Sequence, residues 1–492
     1  METAEAEWHA RRLEGLLREL RRQTTATDPD QLLRWLDRQI GSRVALLGAT
    51  GEVQAATSGF PHSALEPIGP LLCRLLDGHT ATAAVRAEGH HVHAEAVETS
   101  GGRAALVVVG DTPLPPAAAT LVSHTGSVLT ILDGARRAAE MDRNYRLKSR
   151  QLRFALLSSL MDGDPVLARR MTIGSVPPLL DAERVRVYLL HCVPRERDDI
   201  ADGFQDPSGY HGRGLMVQCP AFAEHLICVV PEPAGTEAPD EGLGPLLRRL
   251  VREKPRYALG ISEPQPLHGT GTAYAQSLHS LAVARNLPAR VAGYRGTAPL
   301  GDTLPRPEAP AWAHGFLRPL ESAKALTLDA ARLSVTFPRT LVARLLGVSR
   351  NTVAAHLHTV EEALGLDLGD LHDRAALGLA LSLAPSRQQP DEPTPRATLE
   401  HLLRSGPAAA WASSFLHPLR DTGHVESTLR AWTAANADAR RAAEHLGISR
   451  NTVRARLRTA ERLLNRDLLT SGSGVHDLVL ALDITGGTAP AD

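Results

Sequence analysis

The sequence predicts a multidomain α+β protein, and three observations point to this fold class. A chain of 492 residues is long enough for three to four domains. Residues 43–110 and 182–294 contain runs with the two-residue period of β-strands, separated by runs with helical spacing. From residue 311 onward we predict helices alone, because one helical pattern occurs there twice.

The composition is that of an ordinary globular protein without a strong overall charge. Hydrophobic residues make up 43% and charged residues 22% of the chain, and the formal net charge is −1. Any attraction to nucleic acid must therefore be local. Metal-ligand spacing is absent from the four cysteines, which we expect to be free buried thiols: Cys73, Cys192, Cys219 and Cys228.

The N-terminus lacks the pattern of a signal peptide, and no run approaches about 18 uncharged apolar residues. We therefore expect a cytoplasmic protein that does not enter a membrane.

Residues 1–30 are predicted to form a short amphipathic helix, which must pack on another surface, for example its copy in a dimer. After it, Gly51 and Glu52 separate two strand-like runs and mark a hairpin. The elements predicted for residues 31–114 are a helix at Gln31–Ile40, strands at Arg43–Gly48 and Val53–Thr57, a helix at Ile68–Leu76, and strands at Thr82–Val97 and Ala104–Gly110.

A histidine tract, His90, His91 and His93, lies on one of these strands. His91 and His93 fall on the same strand face, and histidine is a common metal ligand. We expect no carboxylate or cysteine to complete a ligand set there. We therefore interpret the tract as a solvated or pocket-lining strand, and we expect no metal and no other cofactor.

One or two long helices are predicted between Pro115 and about Asp162, and they connect the first part of the chain to the rest. They either pair across a dimer or pack within their own chain. Residues 166–298 alternate strands with helices, as in an α/β sandwich. The elements predicted there are strands at Ala182–Cys192, Leu215–Cys219, His225–Val230, Tyr257–Ser262 and Val291–Tyr294, and helices at Leu243–Val251 and Thr272–Asn286.

Residues 440–468 have the pattern of a helix-turn-helix. Apolar residues recur at helical spacing in one stripe: Val453, Leu457, Ala460 and Leu464. Ser449 is placed to cap this helix, and Gly447 suits the turn that ends the helix before it. The opposite face is rich in arginine, which suits a phosphate-lined groove, although a solvated face can have the same composition.

The same pattern occurs 100 residues earlier. Leu346–Leu368 begins Leu-Gly-Val-Ser-Arg-Asn-Thr-Val, and Leu446–Leu468 begins Leu-Gly-Ile-Ser-Arg-Asn-Thr-Val. Upstream, Trp312–Leu320 matches Trp411–Leu419 at an offset of 99. We therefore predict two tandem copies of one all-α module. Proline-containing stretches at 296–310 and 384–395 are predicted to be linkers before and between the copies.

Each copy resembles the C-terminal helix-turn-helix domain of the PucR/CdaR family of bacterial transcriptional regulators. The shared features are the Phe-Leu-x-Pro-Leu segment, the helix Thr428–Trp432 and the core Arg441–Leu457. Members usually carry one such module, so two is a departure. Residues 31–114 resemble the GAF/PAS type of sensor in architecture alone.

The middle part is similar to the degenerate GGDEF-like domain of this family over three runs: Leu259–Ser262, Ala273–Gln276 and Ala282–Ala284. A working diguanylate cyclase needs a Gly-Gly-Asp/Glu-Glu-Phe hairpin that approaches the nucleotide and holds Mg²⁺. The corresponding hairpin, Cys219–His225, has no glycine pair and only Glu224 as an acid. We therefore predict no cyclase activity.

The predicted domains follow from these boundaries. They are an N-terminal helix at 1–30, a GAF/PAS-like sensor at 31–114, connecting helices at 115–165, a degenerate GGDEF-like domain at 166–298, a first helix-turn-helix module at 311–384 and a second at 397–486.

The resemblance implies a DNA-binding transcriptional regulator, not an enzyme. It implies a homodimer in which the sensor half controls the affinity of the modules for double-stranded DNA. Such a protein would be associated with the nucleoid when it is bound to DNA. A small-molecule effector is compatible with this interpretation, and no residue pattern names one. Two alternatives stay open: a nucleotide-binding or metal-dependent enzyme in residues 141–298 with accessory DNA-binding modules, and a protein-docking scaffold.

DNA-contacting residues are predicted at corresponding positions of the two modules. Arginine pairs with guanine and asparagine with adenine, so the start of each recognition helix is placed near base edges and a phosphate. The second module should have the higher affinity for DNA because its recognition helix has more arginine. The first module either binds DNA more weakly or is a docking module. The predicted residues are Ser449, Arg450, Asn451, Thr452, Arg454, Arg456, Arg458 and Arg462, and Ser349, Arg350, Asn351, Thr352 and His356.

Overall fold

The structure is a computed structural model that describes residues 12, 14–16, 18, 29–232, 242–384, 398–470 and 473–486. The predicted N-terminal helix and the predicted linker at 384–395 lie almost entirely outside the described residues. The chain divides into two compact units, Met1–Leu147 and Lys148–Asp492. The finer domain boundaries stay predictions.

The first unit is a five-stranded antiparallel sheet in the order β2-β1-β5-β4-β3. Its elements are α1 (Pro29–Ile40), β1 (Arg43–Leu47), β2 (Val53–Ala56), α2 (Gly69–Leu76), β3 (Thr82–Ala87), β4 (His90–Thr99) and β5 (Gly102–Gly110). Alternate strand residues enter two different cores, since Val44 and Leu46 pack with α1, whereas Ala45 and Leu47 pack with α2. Both faces of the sheet are therefore covered.

The single strand-like run predicted at Thr82–Val97 is two strands, and this prediction was wrong. Glu88 and Gly89 have φ angles of 48° and 85°, which is the backbone of a two-residue hairpin turn. The strands on either side pair from Thr82 with Glu95 to Ala87 with His90. Glu95 also lies 3.8 Å from the ring of His93, so one carboxylate does lie beside the histidine tract.

One helix, α3 (Pro116–Met161), occupies the region for which one or two helices were predicted. Leu121 and Leu129 near its start are buried in the core of the first unit, and Leu156 and Leu160 near its end are buried in the core of the second. The division between the units falls between these two ends.

The second unit begins with an α/β domain whose sheet has the order β11-β9-β6-β8-β7, with β10 paired to β6. Its elements are α4 (Pro165–Met171), β6 (Arg184–His191), α5 (Pro194–Gly203), β7 (Leu215–Gln218), β8 (His225–Pro231), α6 (Leu243–Glu253), β9 (Ala258–Ile261), β10 (Gln265–Pro266), α7 (Thr270–Ala284) and β11 (Val291–Gly293). Gly260 lets α7 approach the sheet, because a Cβ there would collide with the backbone of Ser277 and Leu281.

Among the described residues that follow, the regular elements are all helices, as predicted for residues 311 onward. They are α8 (Leu300–Thr303), α9 (Glu308–Leu317), α10 (Ala325–Thr336), α11 (Arg339–Leu346), α12 (Arg350–Leu364), α13 (Leu371–Leu383), α14 (Leu399–Leu403), α15 (Gly406–Leu416), α16 (Gly423–Ala434), α17 (Ala439–Leu446), α18 (Arg450–Leu464) and α19 (Ser473–Gly486). Residues of both modules share one hydrophobic core, in which α13 packs on α19.

The stretch at 296–310 is part of this core and is not a free linker. It contains α8, and Leu300 and Leu304 are only 1% and 4% exposed. Trp411 of the second module also donates a hydrogen bond from Nε1 to the carbonyl of Ala298, at 2.8 Å. The prolines and glycines of this stretch indicated a linker. It packs against the modules because burial of its two leucines removes apolar surface from water.

Three of the four cysteines are buried, whereas Cys73 is exposed, so the expectation of four buried thiols was wrong at that position. Burial raises the pKa of Cys192 to about 12, which keeps this thiol protonated. Among the described residues, the helices include none with the length and apolar content needed to cross a membrane.

Candidate nucleic-acid interface

The second module contains a capped helix-turn-helix at α17 and α18. Gly447, with φ of 64°, ends α17 in the left-handed conformation that glycine adopts without strain. Ser449 then caps α18, because its Oγ accepts a hydrogen bond from the Thr452 backbone N–H at 3.0 Å. The predicted stripe Val453, Leu457, Ala460 and Leu464 is buried. These contacts fix which face of α18 is presented to solvent.

That solvent face is positively charged. Its exposed side chains are Arg450, Asn451, Arg454, Arg458 and Arg462. In the part of the chain that the structure describes, Arg450, Arg454 and Arg458 form no ion pair with a carboxylate, whereas Arg462 donates a weak hydrogen bond to Thr459. Three uncompensated guanidinium groups on one helix face form a surface suited to phosphates.

Two predicted site residues are instead bonded within the protein. Arg456 is half-buried and donates to Thr428 Oγ1 at 3.0 Å and to the His424 carbonyl at 3.3 Å, both in α16. His356 occupies the corresponding position of the first module, where a ring nitrogen lies 2.9 Å from Thr327 Oγ1 of α10. Both side chains therefore join a recognition helix to the helix packed against it.

Three further charged residues on or just after α18 do not face solvent. Arg466 is 1% exposed and pairs with Asp477 at 3.0 Å. Glu461 and Asp467 are 3% and 0% exposed. The exposed face is therefore less compensated by acids than its sequence indicates.

Glu461 has a structural role at the end of α18. Its Oε1 accepts hydrogen bonds from the backbone N–H groups of Leu468 and Leu469, each at 3.1 Å. Burial, with a smaller contribution from the charge of Asp467, raises the pKa of the Glu461 carboxyl to about 7. The carboxyl is therefore near its titration midpoint at neutral pH.

The first module repeats the geometry with less free charge. Ser349 Oγ accepts from Thr352 N at 3.1 Å, and Gly347 has φ of 67°. Arg350 and Asn351 are exposed. Further along α12, His358 lies 3.7 Å from Glu361 and 3.2 Å from Glu362, so any positive charge there is offset.

Both modules are fastened to the α/β domain. In the first, Arg344 of α11 donates to the carbonyls of Pro220, at 2.8 Å, and Ala221. In the second, Arg466 donates to Tyr294 Oη at 2.6 Å, and its guanidinium stacks between the rings of Tyr294 and Phe415. The sequence did not predict these hydrogen bonds, since they join residues more than 100 positions apart in the chain.

The residues of both helix-turn-helix units can be compared with known families. Two stretches, residues 333–383 and 426–484, match the family model of the PucR C-terminal helix-turn-helix domain. The chain carries a PucR-type helix-turn-helix. The first matched stretch contains α11, α12 and α13, and the second contains α17, α18 and all but the last two residues of α19. This match supports a DNA-binding transcriptional regulator rather than an enzyme. Comparison with curated proteins gives no match.

Proposed function

We propose that this protein is a PucR-type transcriptional regulator that binds double-stranded DNA mainly through α18. The exposed, unpaired arginines of a capped recognition helix support this proposal most directly. Arg450, Asn451 and Thr452 would lie near base edges and a phosphate, and Arg454 and Arg458 would follow the groove.

The decisive variant removes two of the groove-facing charges, Arg454→Ala plus Arg458→Ala. Loss of two phosphate contacts should weaken binding to operator DNA at least about tenfold and lower the slope of log K against log salt by roughly 2. Arg248→Ala plus Arg249→Ala, an equal loss of exposed charge on α6, is the matched control and should change neither. Fluorescence anisotropy across a salt series measures both quantities; an unchanged slope would show that α18 does not read DNA.

We further propose that one chain presents two recognition helices from a single block. The shared core and the packing of α13 on α19 support this, as does the contact between the His372 ring and the Asp483 carboxylate across the modules, at 3.4 Å. Two motifs held in this way would mimic the two halves of a repressor dimer. The weaker charge of α12 supports a first module that reads a second half-site less strongly.

The sensor role of the first unit is also proposed. A cleft of about 280 Å³ lies on its sheet, which is near the lower end for small-molecule sites. Among the residues lining it are Ser42, Arg86, His91, His93, Gly110 and Thr112. A ligand there could act on DNA binding only if it had different affinities for two arrangements of the protein.

A further inference from the structure

Three side chains of metal-ligating type come together where β6 ends and β8 begins. His191 and His225 are directly paired in the antiparallel register, so their rings share one sheet face. Glu224 precedes His225 in the turn, and its carbonyl accepts a hydrogen bond from Cys192 N at 2.8 Å. One ligand atom from each of the three side chains lies within 4.8 Å of the others.

The histidine nitrogens at this cluster lack the partners that burial demands. His225 is 0% exposed, and neither of its ring nitrogens has a hydrogen-bond partner among the described residues. Nδ1 of His191 is likewise buried without one. Buried polar groups are normally satisfied, so unsatisfied ring nitrogens on two facing histidines make both side chains candidate ligands for a cation.

Both imidazoles are also in the protonation state that binds metals. Burial, followed by the charges of His191 and Arg285, lowers the pKa of His225 to about 3. Burial likewise lowers the pKa of His191, with Arg285 and Arg290 acting in the same direction and Glu224 against them. Neutral rings offer lone pairs to a cation at neutral pH. The two arginines oppose a dication, and the Glu224 carboxylate offsets part of this repulsion.

We propose that His191, Glu224 and His225 bind a divalent transition metal of the zinc type. Two imidazoles and one carboxylate are a ligand set that Zn²⁺ accepts, and a fourth position stays open to water or another ligand. Bonds near 2.0–2.1 Å place tetrahedral ligand atoms roughly 3.3 Å apart, so ligand atoms that now lie up to 4.8 Å from one another must move closer on binding. The movement falls mainly on Glu224, because the two histidines are held by paired strands.

The same turn supports the first helix-turn-helix module. Arg344 of α11 donates to the carbonyls of Pro220 and Ala221. Phe222 contacts the ring of His225, with centroids 4.8 Å apart, and the ring of Phe337 before α11, at 6.1 Å. A metal that draws Glu224 inward therefore shifts the surface on which the first module rests. Resting on the proposed DNA-binding function, this predicts that metal occupancy changes DNA contacts of the first module more than those of the second.

The site itself is tested on the full-length protein without DNA. After treatment with a chelator, titration with Zn²⁺ should give one bound ion per chain and raise the Tm. Glu224→Gln keeps the shape of this half-exposed side chain but removes its charge, and should weaken Zn²⁺ binding at least tenfold without lowering the Tm of the metal-free protein. His90→Gln plus His91→Gln, on the first unit, is the control and should bind Zn²⁺ normally.

Two results would overturn the site. One is a titration in which the unaltered protein does not bind one Zn²⁺ per chain, and the other is an equal affinity for Zn²⁺ in Glu224→Gln and the unaltered protein. A second variant, His191→Gln, tests the site in case another group replaces the Glu224 carboxylate as a ligand. It should also lose Zn²⁺ binding. Bound Co²⁺ should show the visible absorption of a tetrahedral or five-coordinate site in the unaltered protein, and not in either variant.

The coupling is tested separately by DNA footprinting with and without Zn²⁺. We expect protection by the first module to change in the unaltered protein and to stay constant in Glu224→Gln. An unchanged footprint with Zn²⁺ bound would overturn the coupling alone. Absence of any DNA binding would overturn the proposed function, while the Zn²⁺ titration would still decide the site.

Discussion

Arginine has two opposite roles within a few residues of this chain. Arg454 and Arg458 are exposed and unpaired among the described residues, whereas Arg466, beyond the end of α18, is buried between Tyr294 and Phe415. A buried guanidinium needs a counter-charge, which Asp477 supplies at 3.0 Å. Helical periodicity predicts which residues of α18 are buried and which are exposed. It does not predict that the side chain of Arg466, two positions beyond the helix, is buried.

Glu461 should make the stability of the second module depend on pH. Its pKa rises from 4.5 to about 7 on folding, so its contribution is fully present below about pH 4.5 and is lost as pH rises through about 7. Between pH 6.5 and 8 the free energy of unfolding should fall by roughly 1 kcal/mol. Urea unfolding monitored by tryptophan fluorescence measures this change.

The control for this pH effect is Glu461→Gln, which keeps an oxygen for the Leu468 and Leu469 N–H groups but cannot titrate. The difference between the variant and the unaltered protein should vanish at low pH and grow towards pH 8. Half-buried His476, whose pKa is lowered to about 4 by burial, acts in the opposite direction below pH 6.5 and is common to both proteins. A difference independent of pH would contradict the assignment.

The two recognition helices illustrate how far local rules determine an element. Serine caps, glycine turns and apolar stripes predicted α12 and α18, and the structure has helices there that start at Arg350 and Arg450. The hairpin at Glu88 and Gly89 was missed because both flanking runs are strand-like, so the two strands were predicted as one continuous strand across the turn. Elements with strong start and stop signals were predictable, and weak turns were not.

Whether α12 contacts DNA is tested by Arg350→Ala plus Asn351→Ala. Both side chains are exposed at the helix start, so their loss should shorten the DNase I footprint on one side and weaken binding severalfold. The effect should be smaller than that of the α18 double variant because α12 has fewer free charges. Arg318→Ala, an exposed charge elsewhere in the first module, is the control. A full-length footprint in the double variant would favour a docking role for this module.

At the scale of the whole molecule, the chain consists of two compact units, and the boundary between them along the chain falls within α3. The middle of this helix is exposed and carries large apolar side chains: Ile131, Met141 and Leu147. Exposed apolar residues of this size on a long helix favour contact with a second copy of the chain. We therefore propose that the homodimer expected from the sequence has its interface on α3.

The dimer interface is tested by Met141→Glu plus Leu147→Glu, at side chains 67% and 55% exposed. Charges at an apolar contact should raise the dimer dissociation constant at least about tenfold, as measured by sedimentation equilibrium. Ile173→Glu, at an 83% exposed residue outside α3, is the matched control and should leave the dissociation constant unchanged. Equal dissociation constants in all three proteins would place the interface elsewhere or remove it.

The helix-turn-helix elements, their caps and the arginine-rich face of α18 could all be predicted from the amino-acid sequence. They depend on residues within one or two helical turns of each other. Only the tertiary structure decided which charges are free, that Leu300 and Leu304 join the core of the modules, and that His191, Glu224 and His225 meet. These facts depend on strand register and on contacts between distant residues. Burial at such contacts is set by the surfaces that pack together, and local spacing holds no information about them.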